Sequence, residues 1–370
     1  MSRLPLPHAG ACGARGGLAL VVALGAALAC RTEPSGRAAP SASAAAFSAA
    51  RVEVRETAMG TKVHVIAYTT PALDSAGVER AIGVALAEVR RLEKLLSEWD
   101  PASEISRANL AAGAPVAVGP ETWAVLEKGL WAGRVSEGTF DVTFETMSDL
   151  WRFGSAADRD PKPPSAEAVA KRRGLVDYRL VVLDATARTV TVPAGRRVGL
   201  GGIAKGYIVD RGAAELRRAG VAAFLFQAGG DLYGAGRKPD GTAWVSGIQD
   251  PRGPSDRFFA VIDLEDHAFS TAGDYARSFV HEGRRYHHIL DPRTGFPATA
   301  SRSVTVWAPD ALTADALDDA IFILGTEKGL ALAESVDGVG CVIVDAKNTV
   351  HVSRRLEGRV RLLGAPSDSP

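Results

Sequence analysis

Apolar and polar residues alternate along residues 51 to 68, on both sides of Met59 and Gly60. This pattern predicts two strands joined at a kink or tight turn. The next segment changes period, because its apolar residues fall at positions 78, 82, 85, 89, 92 and 96. That spacing predicts an amphipathic helix. Residues 121 to 135 predict another helix.

From residue 180 onward the pattern predicts mostly strands. They are expected near 180 to 184, 188 to 192, 223 to 227, 243 to 248, 259 to 264, 286 to 290, 303 to 307 and 340 to 352. Two helices, at 203 to 219 and 311 to 324, interrupt them. Because the strands come in runs, we expect an α+β fold with mostly antiparallel sheet and flanking helices. Without a linker or repeat inside it, the segment 51 to 366 is predicted to form a single compact, two-lobed domain.

The first fifty residues differ from the rest. Arg3 and Arg15 precede an apolar run that has the length of a signal-peptide core and is too short to span a bilayer. Residues 1 to 30 therefore predict an export signal. Its end at Cys30 resembles a bacterial lipoprotein signal, although Ala27 stands where a larger aliphatic residue is usual. A plain secretory signal is the alternative.

Residues 31 to 50 are rich in Ala, Ser and Pro and predict a flexible tether. The protein is thus expected outside the cytoplasm, on the periplasmic side, anchored to the membrane through a lipid on Cys30. Cys341 is the only cysteine of the body, so the mature domain holds no intrachain disulfide. The 43 basic and 43 acidic residues cancel, which argues against a nucleic-acid partner.

The predicted helix at 311 to 324 carries three acids, Asp315, Asp318 and Asp319, among apolar residues. Residues three and four apart share a helix face, so these like charges repel unless a cation faces them. Carboxylates without nearby Cys or His ligands suit a hard cation, Mg²⁺ before Ca²⁺. The alternative is an acidic helix start that faces water and favours the helix dipole.

Residues 198 to 220 form a glycine-rich approach to a helix, with Lys205 in its first turn. Backbone N–H groups at a helix start bind anions, and Lys205 adds a positive charge, so a phosphate would fit here. The alternative is a tight turn that needs close packing. The stretch lacks the residues of a Walker A loop or of a dinucleotide fingerprint.

Two further glycine-rich stretches, 228 to 236 and 270 to 279, each predict a turn that holds an acid. A solvated Asp in a β-turn is the alternative to a functional acid. His287 and His288 are adjacent, so on a strand they point to opposite faces and cannot both bind one metal. This argues against zinc and predicts that at least one of them is structural.

Nine motifs in order resemble one family, the FAD:protein FMN transferases, also called ApbE-type flavin transferases. The resemblance covers about residues 55 to 350. The motifs are AMGT, SEWDPASEISRAN, GTFDVT followed by LWRFG, GGIAKGYIVD, QAGGDLYGAG, STAGDYAR, YHHILDPRTGFP, SVTVWAP and ADALDDAIFILG.

The resemblance implies an ApbE-like fold and a Mg²⁺-dependent transfer of FMN from FAD to a Thr or Ser hydroxyl of a target protein, with release of AMP. An exported redox subunit is the expected acceptor. The positions that match the family's FAD contacts are Met59, Trp99, Phe140, Asp141, Lys205 and Leu290. Those that match its metal site are the carbonyl of Gly202 and the side chains of Asp315 and Asp319, and Asp318 stands at a position that also bears on the metal in some relatives.

The chemistry agrees with these assignments. The pyrophosphate of FAD carries two negative charges, which Mg²⁺, Lys205 and helix N–H groups would offset during attack by a hydroxyl. Phosphoryl transfer relies on positioning and charge stabilisation, so no protein nucleophile is needed. Asp291 or His288 is expected to act as general base, and the sequence does not choose between them.

Two positions depart from the family pattern. Gly199 stands where Asp usually precedes Leu-Gly-Gly, and Asp319 stands where Thr is common. An extra carboxylate at 319 would tighten Mg²⁺ binding or favour Ca²⁺ or Mn²⁺. These departures keep one alternative open, an FAD-binding carrier without transferase activity. A further alternative is a metal-dependent FAD pyrophosphatase, in which water replaces the acceptor hydroxyl.

Overall fold

The strands Arg51–Ala58 and Thr61–Tyr68 form an antiparallel hairpin at one edge of the main sheet. Met59 and Gly60 connect them with φ angles of 54° and 64°, which confirms the predicted tight turn. These details come from a computed structural model that describes residues 47–153 and 161–368.

Within those residues the strands, β1 to β18 in chain order, are Arg51–Ala58, Thr61–Tyr68, Val116–Ala117, Val182–Asp184, Thr189–Thr191, Phe224–Ala228, Asp231–Ala235, Trp244–Gln249, Phe258–Leu264, His267–Gly273, Ser278–His281, Arg284–His287, Leu290–Asp291, Phe296–Pro297, Ser301–Ala308, Gly340–Asp345, Val350–Val352 and Val360–Leu362. The α-helices, α1 to α7, are Ser75–Leu96, Glu104–Leu110, Pro120–Val135, Ala166–Arg173, Ala204–Arg218, Ala311–Leu324 and Thr326–Ser335. Short 3-10 helices span Val142–Met147, Tyr178–Leu180 and Arg354–Leu356.

The main sheet has eight strands in the order β1-β2-β6-β7-β10-β15-β16-β17, and each neighbouring pair is antiparallel. Helices α1, α5 and α6 contribute to one apolar cluster, and the small sheet β18-β9-β8 contributes to another. Alternate residues of β2 serve the two clusters, since Val63 and Val65 lie in the first and Ile66 and Tyr68 pack against the second. This architecture confirms the predicted α+β class.

Helix α1 shows why the apolar period predicted it correctly. Asp74 caps its start by accepting the Gly77 N–H at 2.7 Å. The six apolar positions of the predicted stripe are all buried: Val78, Ile82, Ala85, Val89, Leu92 and Leu96. Burying each large aliphatic side chain contributes roughly 1.5–3 kcal/mol. Packing therefore fixes this helix on the sheet.

Several elements were missed or assigned wrongly from the pattern, among them β7, β10 and α7. Strand β7 lies within the first predicted glycine turn, and β10 extends into the second. All five residues of β7 are buried, so it shows no alternation of apolar and polar residues. Helix α7 adds a third helix to the two expected after residue 180.

Helices α5 and α6 cross at very short distance. A Cβ on Gly206 would lie 2.2 Å from the carbonyl oxygen of Ala311 and 2.7 Å from the Cβ of Asp315. Any side chain at position 206 would push the helices apart. This glycine therefore lets α5 and α6 bring their polar residues together.

The described residues, from Phe47 onward, belong to one compact unit. The domain boundaries at 1–30, 31–50 and 51–366 stay predictions, because the export segment and most of the tether lie outside the described residues. Among the helices that the structure does describe, none is long and apolar enough to cross a bilayer. Cys341 is buried with a free thiol.

Candidate active site

The site lies where three elements meet. Lys205 comes from the first turn of α5, Asp231 from the start of β7, and Asp315 and Asp318 from α6. One carboxylate oxygen from each of the three acids lies within 4.8 Å of the others. All three acids are buried, with exposures of 1%, 2% and 5%. The fold thus concentrates negative charge away from water.

Lys205 is the cation within this cluster. Its Nζ donates to Asp231 Oδ2 at 2.8 Å and to Asp315 Oδ1 at 3.2 Å. Burial lowers the pKa of Lys205, but the charges of Asp231 and Asp315 outweigh burial and hold this pKa well above its ordinary value. The ammonium group is therefore charged at neutral pH.

Ser270 shows that Lys205 alone does not balance the acids of this cluster. Its hydroxyl lies within hydrogen-bond distance of Asp231 Oδ1 and, at 2.6 Å, of Asp318 Oδ2. A hydroxyl has one hydrogen and cannot donate to both oxygens. Unless one of the two carboxyl groups carries a proton, one carboxylate oxygen therefore lies against the hydroxyl oxygen without a hydrogen between them.

The remaining acids show the same imbalance. Burial, followed by the charge of Asp231, raises the pKa of Asp315 to about 7. Burial raises the pKa of Asp319 to about 6, and it raises that of Asp318 well above its ordinary value, with Asp319 adding repulsion. A hard divalent cation would keep these carboxylates ionised, and the all-oxygen donor set fits Mg²⁺.

Gly202 and Asp319 lie near each other beside this cluster, and their predicted role as metal ligands stays a prediction. A Cβ on Gly202 would lie 3.6 Å from Asp319 Oδ2 and 3.6 Å from the ring of Phe140. The structure thus places Gly202, the acids of α6 and Phe140 in one region.

Two alternative interpretations from the sequence are wrong. The acids of α6 do not face water from its first turn, since Asp315 and Asp318 are buried. Nor are the acids of the two glycine-rich stretches solvated: Asp231 is buried in the cluster, and Asp274 forms a buried ion pair with Arg252 at 2.6 Å.

The predicted anion site at the start of α5 is also largely used by the chain itself. The Ala204 N–H donates to the Leu200 carbonyl at 2.8 Å, and the Gly206 N–H donates to Asp315 Oδ2 at 2.8 Å. These backbone groups hold the loop and α6 in place. Lys205 therefore remains the main positive group of this helix start.

Asp231 and Ser270 are the residues that sequence reasoning missed. Both lie in quoted motifs, QAGGDLYGAG and STAGDYAR, yet nothing in those motifs shows that they meet Lys205. The neighbouring pairing of β7 and β10 brings them together. The one local signal was an acid directly after Gly229 and Gly230.

The residues predicted to contact the flavin differ in their exposure to solvent. Trp99 follows α1 and is 79% exposed, which leaves a large aromatic surface open to a ligand. Met59 lies in the hairpin turn, where its N–H donates to Glu93 Oε1 at 2.7 Å. Phe140 and Leu290 are buried. The carboxylate of Asp141 is engaged within the chain.

Asp141 caps the 3-10 helix Val142–Met147. Its Oδ1 accepts from the N–H and hydroxyl of Thr143 at 2.8 and 2.6 Å, and its Oδ2 accepts from the Tyr178 N–H at 2.9 Å. These bonds give Asp141 a structural role. Its predicted flavin contact stays a prediction.

The two candidate bases differ in availability. Both carboxylate oxygens of Asp291 accept bonds from Arg293, at 2.7 to 2.9 Å. Within the described residues, His288 Nδ1 has no hydrogen-bond partner. Burial, followed by the charge of Arg277, lowers the pKa of His288 to about 3, so this imidazole is neutral. His287 is structural, because its Nε2 bonds the Ala298 carbonyl at 2.8 Å.

The departure at Gly199 has a steric reason. A Cβ at this position would lie 2.8 Å from the Cβ of Glu145 and 3.1 Å from its Oε2. Glu145 is held by Ser148 and Arg197, whose side chains donate to its Oε1 at 2.5 and 3.0 Å. A carboxylate therefore lies beside position 199, although it comes from another residue.

Gly199→Asp is expected to lower the melting temperature, because overpacking costs about 1–3 kcal/mol. The double change Glu145→Gly with Gly199→Asp should recover most of this loss. Gly83→Asp serves as a control, since a Cβ there meets nothing within 4 Å. Thermal melts of the four proteins test this, and equal melting temperatures for Gly199→Asp and wild type would contradict the steric account.

Fold and site together define an α+β protein whose buried acidic cluster and lysine suit a divalent cation and an anionic ligand. The sequence model of the ApbE family matches residues 59–343. This chain belongs to the ApbE family.

Proteins that are similar over most of this chain belong to the same family. An FAD:protein FMN transferase of Treponema pallidum is 33% identical over 326 residues, which is 84% of this chain and 89% of the relative. An FAD:protein FMN transferase of Haemophilus influenzae is 31% identical over 283 residues, which is 75% of this chain and 81% of the relative. The crystal structure of the ApbE protein of Thermotoga maritima has a TM-score of 0.76 at 31% identity and covers 84% of this chain and 100% of its own. The crystal structure of Pseudomonas stutzeri flavinyl transferase ApbE in its apo form has a TM-score of 0.74 at 29% identity. It covers 85% of this chain and 98% of its own.

Proposed function

We propose that this chain transfers FMN from FAD to a Thr or Ser hydroxyl of a target protein, depends on Mg²⁺, and releases AMP. The transferase activity is that of the curated relatives, which share most of the chain. The observation that carries the metal dependence is the cluster of Asp231, Asp315 and Asp318 around a single lysine. Three buried acids against one ammonium group leave negative charge that a divalent cation would offset.

In this proposal Gly202, Asp315, Asp318 and Asp319 hold Mg²⁺, and Asp231 joins them through its place in the cluster. When bound, Mg²⁺ supplies charge neutralisation for the pyrophosphate. Lys205 contributes a fixed positive charge on the same side, since its Nζ already lies among these carboxylates.

The acceptor hydroxyl attacks the phosphorus of the FMN half, the phosphoanhydride bond breaks, and AMP leaves with the bridging oxygen. The hydroxyl proton must pass to a base. We assign this role to His288 over Asp291, because Asp291 is bound to Arg293 and His288 Nδ1 is unpartnered in the described part of the chain. Burial lowers the pKa of His288 most, and the charges of Arg277 and Lys205 lower it further. The negative charge of a bound pyrophosphate would offset those two positive charges and so raise this pKa.

The test is incubation of the purified protein with FAD, MgCl₂ and an acceptor protein that carries an accessible Thr. An acceptor mass increased by one FMN unit, together with AMP, is the expected result. Free FMN and AMP with unchanged acceptor would indicate a pyrophosphatase, and intact FAD that co-purifies would indicate a carrier. EDTA should stop the reaction and excess MgCl₂ should restore it.

We further propose that the enzyme acts on the periplasmic side, anchored through lipidated Cys30, on an exported redox subunit. The apolar run that ends at Cys30 supports this proposal. Intact mass of the protein from the membrane fraction tests it: a chain that begins at Cys30 and carries acyl mass is expected. A soluble product without acyl groups would favour the plain secretory signal.

A further inference from the structure

Asp210 is a half-buried acid of α5 that the proposed reaction does not use. Its Oδ1 accepts the Ala311 N–H at 2.8 Å, and its Oδ2 accepts the Leu312 N–H at 2.9 Å. These are the first two residues of α6. One carboxylate of α5 therefore binds the start of the neighbouring helix with both oxygens.

Helix α6 also has a cap of its own. Asp310 accepts the Thr313 N–H at 2.7 Å. Two carboxylates thus accept the first three N–H groups of α6, which otherwise have no partner within the helix. Asp310 stabilises only its own helix, whereas Asp210 ties α6 to α5.

A second attachment joins the same two helices at the active site. Lys205 Nζ and the Gly206 N–H both donate to Asp315, at 3.2 and 2.8 Å. Along α5 the two attachments are five residues apart, about 7.5 Å, and along α6 about 6 Å. Between them the helices touch at Gly206, where no Cβ would fit. Two attachments around one close contact fix both the rotation and the register of α6.

We infer that Asp210 is a positioning residue: it sets α6 against α5 so that Asp315, Asp318 and Asp319 face Lys205. The expected effect on Mg²⁺ binding rests on the proposed function. The position of α6 against α5 can be measured without any ligand. The Gly206 N–H reports it directly, because its acceptor is Asp315.

The test compares Asp210→Ala with Asp310→Ala in the full chain. Both remove a carboxylate from the start of α6, so both should lower the melting temperature. Only Asp210→Ala should speed hydrogen exchange of the Gly206 amide, by about tenfold or more without any metal. It should also weaken binding of Mg²⁺ alone, measured by calorimetry, by about 10- to 100-fold. Asp310→Ala should leave both readouts near wild type.

Asp210→Asn keeps one acceptor oxygen and should give intermediate values, and it replaces the alanine variant if that protein does not fold. Equal Gly206 exchange in wild type and both Asp210 variants would overturn the inference. Faster Gly206 exchange in Asp310→Ala, together with wild-type exchange in Asp210→Ala, would overturn it too. If the wild-type protein binds no Mg²⁺, the metal part of the proposed function fails, and the exchange measurement still decides the role of Asp210.

Discussion

Asp315→Asn is expected to reduce acceptor flavinylation at least about 100-fold, which corresponds to about 2.7 kcal/mol in the barrier. Asp315 contacts both Lys205 and the Gly206 N–H and lies in the carboxylate cluster. An amide has nearly the same shape but no charge, so it would bind Mg²⁺ weakly. The loss should appear in the dependence of the rate on MgCl₂ at saturating FAD.

The fold should survive this change. The amide cannot accept the Gly206 N–H through its nitrogen, and a lost hydrogen bond costs about 1 kcal/mol. Against this, the change removes repulsion from Asp231, one of the causes of the raised pKa of Asp315. The melting temperature of Asp315→Asn should therefore move little.

Glu334→Gln is the control for Asp315→Asn, because Glu334 is an acid of α7 whose ion pair with Arg354 lies at the surface. It should leave both rate and metal dependence unchanged. Wild-type turnover and metal dependence in Asp315→Asn would remove Asp315 from the metal site. Unfolding of that variant would show that the carboxylate is mainly structural.

Lys205→Met should act in opposite directions on the two ligands. It removes the positive charge nearest the expected pyrophosphate, so FAD binding should weaken about tenfold or more. It also removes the ammonium group that balances Asp231 and Asp315, which should strengthen Mg²⁺ binding. Loss of a residue that only packs against its neighbours would not weaken FAD binding while strengthening Mg²⁺ binding.

Stability provides a second measure of Lys205→Met. Breaking a buried ion pair by removing one partner costs about 3 kcal/mol, because the other charges stay buried. A divalent cation would compensate them, so MgCl₂ should raise the melting temperature of Lys205→Met more than that of wild type. Melts with and without MgCl₂, and FAD titrations followed by flavin fluorescence, measure both effects.

Lys128→Met is the matched control, since Lys128 is a half-buried lysine of α3 that lies 3.9 Å from the centre of the Trp131 ring. It should change neither FAD binding nor the response to MgCl₂. If Lys205→Met leaves FAD affinity unchanged, Lys205 does not face the flavin phosphates. If MgCl₂ stabilises it no more than wild type, the cation does not bind at these carboxylates.

The amino-acid sequence alone determined those parts of this protein that depend on neighbouring residues. The alternation around Met59 and Gly60 predicted the hairpin, and the helical periods predicted α1, α5 and α6. It also placed the three acids of α6 on one face and Lys205 in a first helical turn. Such features follow from the repeat of one element and need no knowledge of the rest of the chain.

Only the tertiary structure decided what those charges face. Asp231 and Ser270 join the cluster because β7 pairs with β10, and Asp210 reaches α6 across about one hundred residues of sequence. Strand β7 is buried throughout, so it carries no period that would reveal it. Contacts between distant residues depend on how whole elements pack, and local periodicity holds no record of that packing.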